Sequence, residues 1–162
     1  MIAGGRGPRP PNAFAWIRRG LLARSALPRL AREIEWLHTQ GIRRILSFEP
    51  IPRNSEAWEA VQRLGLEVRE ILVPDCQAPT FEQAEETLGV IRESLHNGAP
   101  LLFHCLAGVG RTGVAHGLYL IEFQGLSPEQ AEREAGVETR NQAGFLLDWA
   151  AARGEPPAGL AR

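Results

Sequence analysis

The sequence predicts a single α/β domain, with a central, mostly parallel sheet covered by helices on both faces. Three observations carry this. Short apolar runs of strand length alternate with longer stretches of helical periodicity along most of the chain. Several of the helical stretches have legible ends, opening on serine or threonine or closing on glycine. Leu101-Leu102-Phe103 reads as a short buried strand that runs into a glycine-containing loop and a long helix. That is where open α/β sheets place their ligands.

The elements follow in order. Phe14-Ala15-Trp16-Ile17 and Leu21-Leu22-Ala23, separated by Arg18-Arg19-Gly20, read as two short strands and a turn. Leu27, Leu30, Ile34 and Leu37 recur at helical spacing, with Pro28 near the start and Gly41 closing the segment. Ile42 to Phe48 reads as a strand, Ser55 to Leu64 as a helix, and Leu66 to Val73 as the next strand, ending at Pro74. Thr80-Phe81-Glu82-Gln83 has the form of a capping box, and Phe81, Ala84, Leu88, Ile91 and Leu95 behind it define an amphipathic helix. His96-Asn97-Gly98 ends that helix before the buried strand. Val114 to Phe123 is apolar on nearly every side and predicts a helix buried in the middle of the domain. Ser127-Pro128-Glu129-Gln130 opens another helix with a cap and a first-turn proline. Phe145, Leu146 and Trp149 give the last helix its apolar face. The folded unit is expected over residues 13–153, with a loose tail over 1–12 and a frayed end over 154–162.

Composition removes several function classes. The 162 residues, 44% hydrophobic and 23% charged, suit one domain with a real core. A formal net charge of −1 gives no reason to expect nucleic acid or a membrane surface as partner. No apolar run has the length of a membrane span. The start, Met1-Ile2-Ala3-Gly4-Gly5, lacks the apolar core of a signal peptide, so a cytoplasmic location and a monomer are the expectations. Two cysteines, Cys76 and Cys105, are too few for a disulfide framework, and the four histidines form no zinc-ligand spacing with them. The basic residues are all arginine, which excludes Schiff-base chemistry on lysine.

The chemistry concentrates in His104-Cys105-Leu106-Ala107-Gly108-Val109-Gly110-Arg111-Thr112-Gly113. A cysteine opens the loop, an arginine follows six positions later, and a helix begins behind it. The first amides of a helix lack internal partners, and its N-terminus carries about half a positive charge. With an arginine nearby, a cysteine in such a setting can ionise at about 3.5–7.5, and the thiolate is the nucleophile. The amides of Leu106, Ala107, Gly108, Val109 and Gly110 can cradle phosphoryl oxygens. Arg111 can grip two of them in its planar fork, which lysine cannot imitate. Thr112 puts a hydroxyl where it can donate toward the sulfur, and His104 is expected to support the loop by hydrogen bonding. A lone cysteine before a helix is usually a small core residue. Six residue types fixed within ten positions argue instead for a phosphate-binding loop with Cys105 as nucleophile.

A phosphate ester also needs an acid to protonate its leaving oxygen. Asp75, in Val73-Pro74-Asp75-Cys76-Gln77-Ala78-Pro79, is a candidate, although an aspartate beside prolines is also an ordinary turn residue. Cys76 adjoins it and is a second thiol that could meet an oxidised Cys105.

The loop resembles that of the protein tyrosine phosphatase superfamily, whose pattern is His-Cys-x5-Arg-Ser/Thr. Asp75 with Pro79, thirty residues before Cys105, looks like the acid loop of its dual-specificity branch. Gly20-Leu21-Leu22-Ala23-Arg24-Ser25-Ala26-Leu27-Pro28 and Val137-Glu138-Thr139-Arg140-Asn141-Gln142 resemble the small atypical VHZ-like members, over roughly residues 13–153. The resemblance implies the cysteine-phosphatase fold and a two-step reaction through a cysteinyl-phosphate, with Asp75 as acid and then base and no cofactor. It implies that Gln142 positions the hydrolytic water or else simply opens the last helix, with Glu138 bordering the site. The loop's Leu106, Ala107 and Val109 are neutral, which favours a phosphotyrosine or phosphoserine/threonine phosphoprotein over a highly anionic substrate. A small phosphorylated metabolite (a nucleotide or sugar phosphate) is the alternative substrate.

Overall fold

The computed structural model describes residues 6–154. Five strands, β1 (Ala15–Arg18), β2 (Leu22–Ser25), β3 (Arg44–Ser47), β4 (Glu67–Glu70) and β5 (Leu101–His104), form one sheet in the order β1-β2-β5-β3-β4. Only β1 is antiparallel to its neighbour; the other pairings are parallel. The expected mostly parallel sheet is therefore present, with its last strand in the centre.

Alternation along β5 divides the core. Leu101 and Phe103 pack on one side with α3 (Phe81–Asn97), α4 (Gly110–Gln124) and α5 (Pro128–Ala135). Leu102 faces the other side, among α1 (Ala31–Thr39) and α2 (Glu56–Leu64). All four residues of β5 are buried, and each large apolar side chain so placed contributes about 1.5–3 kcal/mol. The last helix, α6 (Arg140–Gly154), packs Leu146 and Trp149 against Leu118 and Leu88, forming a further apolar cluster beside α4. Helices thus cover both faces, and α4 is enclosed as its composition predicts.

The end signals operate as read. Thr80 Oγ1 accepts from the Gln83 amide while Gln83 Oε1 accepts from the Thr80 amide, and Ser127 with Gln130 repeats the arrangement. Two boundaries differ from expectation. The strand read over Leu66 to Val73 pairs regularly only over Glu67–Glu70, because its partner β3 ends at Ser47 before Pro50. Ile71 and Val73 still donate to Ser47 and Phe48, carrying the chain toward the site. The described part of the tail read over 1–12 is fastened rather than loose: the Arg9 amide donates to the Arg32 carbonyl, its guanidinium pairs with buried Glu33, and Asn12 accepts from the Ala26 amide. Residues 1–5 and 155–162, with the frayed end expected there, lie outside the described residues.

Candidate active site

Strand β5 delivers Cys105 to the C-terminal edge of the sheet, at its centre, and leaves it 2% exposed. His104 is fully buried just behind it. Burial pushes its pKa down to about 4, so the ring is neutral at ordinary pH. Its Nδ1 faces the Cys105 carbonyl at 2.9 Å and its Nε2 faces Ser47 Oγ at 2.6 Å. A neutral ring satisfies both by donating from Nδ1 and accepting the serine hydroxyl at Nε2. The expected support of the loop is therefore present, but as a neutral peg between β3 and β5 with no charge to offer the sulfur.

Three glycines let the loop sit this close. Gly108 has φ of +78°, and a Cβ there would lie 2.7 Å from the Ala26 amide nitrogen. Gly110 lies beneath Gln142 and Glu138, whose side-chain atoms would be 2.6 and 2.9 Å from a Cβ. At Gly113 a Cβ would overlap the Gly136 carbonyl oxygen outright, so the first turn of α4 touches the end of α5 backbone to backbone.

Arg111, in that first turn, is 4% exposed. Its Nη1 donates to Glu49 Oε1 at 2.7 Å, to the Val73 carbonyl at 2.7 Å and to the Phe48 carbonyl at 3.3 Å. Its Nη2 donates to Asp75 Oδ1 at 3.1 Å. Two buried polar atoms have no protein partner among the described residues, and they are Arg111 Nε and Thr112 Oγ1. Thr112 thus lies at the loop as predicted, without a bond to the sulfur. A buried donor left unpaired costs about 1–3 kcal/mol. An oxyanion in the loop is the kind of partner that would satisfy it.

The segment bearing Asp75 crosses above this buried floor. Asp75 is largely exposed and also accepts from the Cys76 amide. Cys76 adopts φ of +65°, the left-handed region. Three bonds tie the segment to the approach to α6: Thr139 Oγ1 to the Cys76 carbonyl, Asn141 Nδ2 to Gln77 Oε1, and Gln142 Nε2 to the Gln77 carbonyl. Gln142 Oε1 meanwhile accepts from the Glu138 and Thr139 amides. Gln142 therefore opens α6 by capping it, and its side chain also lies against Gly110 of the loop. Cys76 Sγ and carboxylate oxygens of Asp75 and Glu138 lie within 4.8 Å of one another. The Asp75 charge, first, and then loss of solvation and the Glu138 charge push the Cys76 thiol pKa up. That setting makes Cys76 a slower thiol, which weakens its reading as a redox partner of Cys105.

A family model described as "Polymorphic toxin system, DSP-PTPase phosphatase" matches residues 24–125. The chain belongs to this family. The match runs from β2 through the last residues of α4 and includes Asp75, Cys105, Arg111 and Thr112. The dual-specificity phosphatase fold recurs among solved structures. Tk-PTP, as a mutant form, is 28% identical with a TM-score of 0.74, over 86% of this chain and 95% of its own. Kinase associated phosphatase, with serine replacing its catalytic cysteine, is 20% identical with a TM-score of 0.75, over 91% and 99%. The core catalytic domain of a PP-IP phosphatase from S. cerevisiae is 19% identical with a TM-score of 0.72, over 91% and 96%. The protein is a phosphatase of the dual-specificity type, as the loop motif implies.

Within this DSP-PTPase the structure brings together Cys105, Arg111, Thr112, Asp75, Gln142 and His104. Two further groups were not singled out in the sequence. Glu49, just past β3, anchors Arg111 by the 2.7 Å pair. Arg24, in β2, donates from Nη2 to the Gly108 carbonyl at 3.0 Å. An arginine inside an otherwise apolar strand was the available signal for Arg24. Glu49 carried none beyond its place at a strand end.

Proposed function

We propose that this phosphatase hydrolyses phosphotyrosine, and phosphoserine or phosphothreonine more slowly, on proteins, through a cysteinyl-phosphate. The observation that carries the reading is Arg111. It is buried and held at both Nη atoms, and its Nε has no protein partner among the described residues. Such a guanidinium has a donor left to offer an oxyanion bound at the loop, and being held already it would reorganise little.

In the first step Cys105 Sγ attacks phosphorus in line, an S–P bond forms and the P–O ester bond breaks. Asp75 gives its proton to the departing oxygen. In the second step Asp75, now a carboxylate, takes a proton from water as the water oxygen attacks phosphorus and the S–P bond breaks. Thr112 Oγ1, buried and unpaired, is available to donate to the leaving thiolate. Gln142, against Gly110, is available to orient the water. No step requires a metal.

The surroundings bear on the substrate. Leu106 and Val109 are exposed apolar residues of the loop, and the carboxylates of Asp75 and Glu138 lie at its edge. An aryl ring meets apolar contact there, whereas a polyphosphorylated headgroup meets like charge. The expected result is turnover of p-nitrophenyl phosphate in EDTA, with catalytic efficiency higher on phosphotyrosyl peptides than on nucleotide or sugar phosphates. Higher efficiency on the metabolites would replace the protein-substrate reading. Absence of any turnover would remove the catalytic one.

A further inference from the structure

We propose that Arg24 is a positioning residue of the phosphate site, a second arginine that holds the Cys105 loop in its anion-binding shape from behind; the inference rests on the phosphatase reading above. Arg24 shares a strand face with Leu22, which packs toward α4 and α5. Its guanidinium joins four segments. Nη2 donates to the Gly108 carbonyl of the loop, and Nη1 donates to the Ala135 carbonyl ending α5 at 2.7 Å and to His116 Nδ1 of α4 at 2.8 Å.

The Gly108 bond matters because this is the loop's positive-φ residue, where the chain has most freedom to turn. In a trans peptide the carbonyl and the following N–H point in opposite directions. Fixing the Gly108 carbonyl toward Arg24 therefore fixes the Val109 N–H away from it, on the side left for an anion. Released, the same peptide could turn its carbonyl oxygen toward the phosphoryl group.

The Ala135 bond answers a second difficulty. The C-terminal end of a helix carries about half a negative charge. Here that end lies against the first turn of α4, through Gly113 and Gly136. Beside a bound dianion it would be repulsive, and Arg24 covers it. His116 does not compete for the charge: burial, and then Arg24 itself, push its pKa down to about 4, leaving Nδ1 as an acceptor. Burial also works against the Arg24 charge, and a negative charge at Cys105 supports it. Among the described residues Arg111 pairs with Glu49 and Asp75 and with none of Arg24's partners. Lysine could not reproduce three directed bonds from one planar head.

The test compares wild type with Arg24→Met and Arg24→Lys as full chains. The measurements are the dissociation constant for inorganic phosphate, kcat and KM on p-nitrophenyl phosphate, and Tm. Arg24→Met should weaken phosphate binding roughly 10–100-fold and lower kcat/KM in parallel, with Arg24→Lys between it and wild type. Phosphate affinity within twofold of wild type in a folded Arg24→Met protein would overturn the proposal. Should that variant not fold, affinity within twofold in Arg24→Lys overturns it instead. Phosphate binding is read without turnover, so an inactive wild type would sink the phosphatase reading while leaving this comparison intact.

Discussion

The Cys105 loop and the Asp75 segment meet at one site but are built in opposite ways. Cys105, Arg111 and Thr112 are almost wholly buried, and Gly108 and Gly113 each sit where backbone leaves no room for a Cβ. Asp75 and Cys76 are exposed, and their segment is held by single hydrogen bonds from Thr139, Asn141, Gln142 and Arg111. The proposed nucleophile and clamp are thus fixed by packing, which changes only at the cost of the core. The acid is fixed by polar contacts of about 0.5–1.5 kcal/mol each, which exchange readily with substrate or water. Under the proposed mechanism, the difference gives precision to the group that would meet phosphorus and adaptability to the group that would meet variable leaving groups.

The largest effect should come from the buried side. Cys105→Ser should lose roughly 10⁶-fold in kcat, as when other enzymes lose their nucleophile, while still binding vanadate. A residual rate near wild type would exclude Cys105. Asp75→Asn should cost about 10²–10⁴-fold on aryl phosphates with poor leaving groups and much less on activated ones. An equal loss across a leaving-group series would contradict the acid role. Arg111→Lys keeps the charge but loses the fork, and about 10²–10³-fold in kcat is expected.

Stability against pH separates the regions again. His104 has its pKa lowered from 6.5 to about 4, so the unfolded chain binds a proton there that the folded one refuses. Stability should therefore fall as pH drops from about 6.5 toward 4, by up to roughly 3 kcal/mol from this residue. Urea unfolding at pH 7 and pH 5 measures it, and His104→Gln should remove this residue's share of the slope and leave that of His116, whose pKa is lowered in the same way. The smallest effect belongs to the exposed side. Asn141→Ala removes only the bond to Gln77 and should lower kcat no more than about fivefold, with Tm nearly unchanged. A loss as large as that of Asp75→Asn would show that the acid segment is as rigidly held as the loop.

How legible each region was follows the same division. The loop's chemistry lies on consecutive residues, so its sulfur, amides and guanidinium could be read directly from the sequence. The helix ends were equally local, and Thr80 and Ser127 cap as their motifs say. Asp75 lies in a segment without periodicity and acquires meaning only beside Cys105, so residue chemistry left it a turn aspartate and the family resemblance raised it. Glu49 and Arg24 come from other strands and are brought in by sheet order, which no local pattern encodes. The end of β4 was misjudged for a related reason, since a strand stops where its partner stops.

The order β1-β2-β5-β3-β4 has a consequence for how the chain is made. β2 and β3 are not neighbours, and β5 lies between them as a parallel partner of both. During synthesis β1 to β4 all emerge before that strand does, so the two early halves of the sheet wait with open edges. The strand that closes them is the one that delivers Cys105. Completion of the sheet and placement of the proposed nucleophile are therefore one event, and a nascent chain stalled before Leu101 has neither.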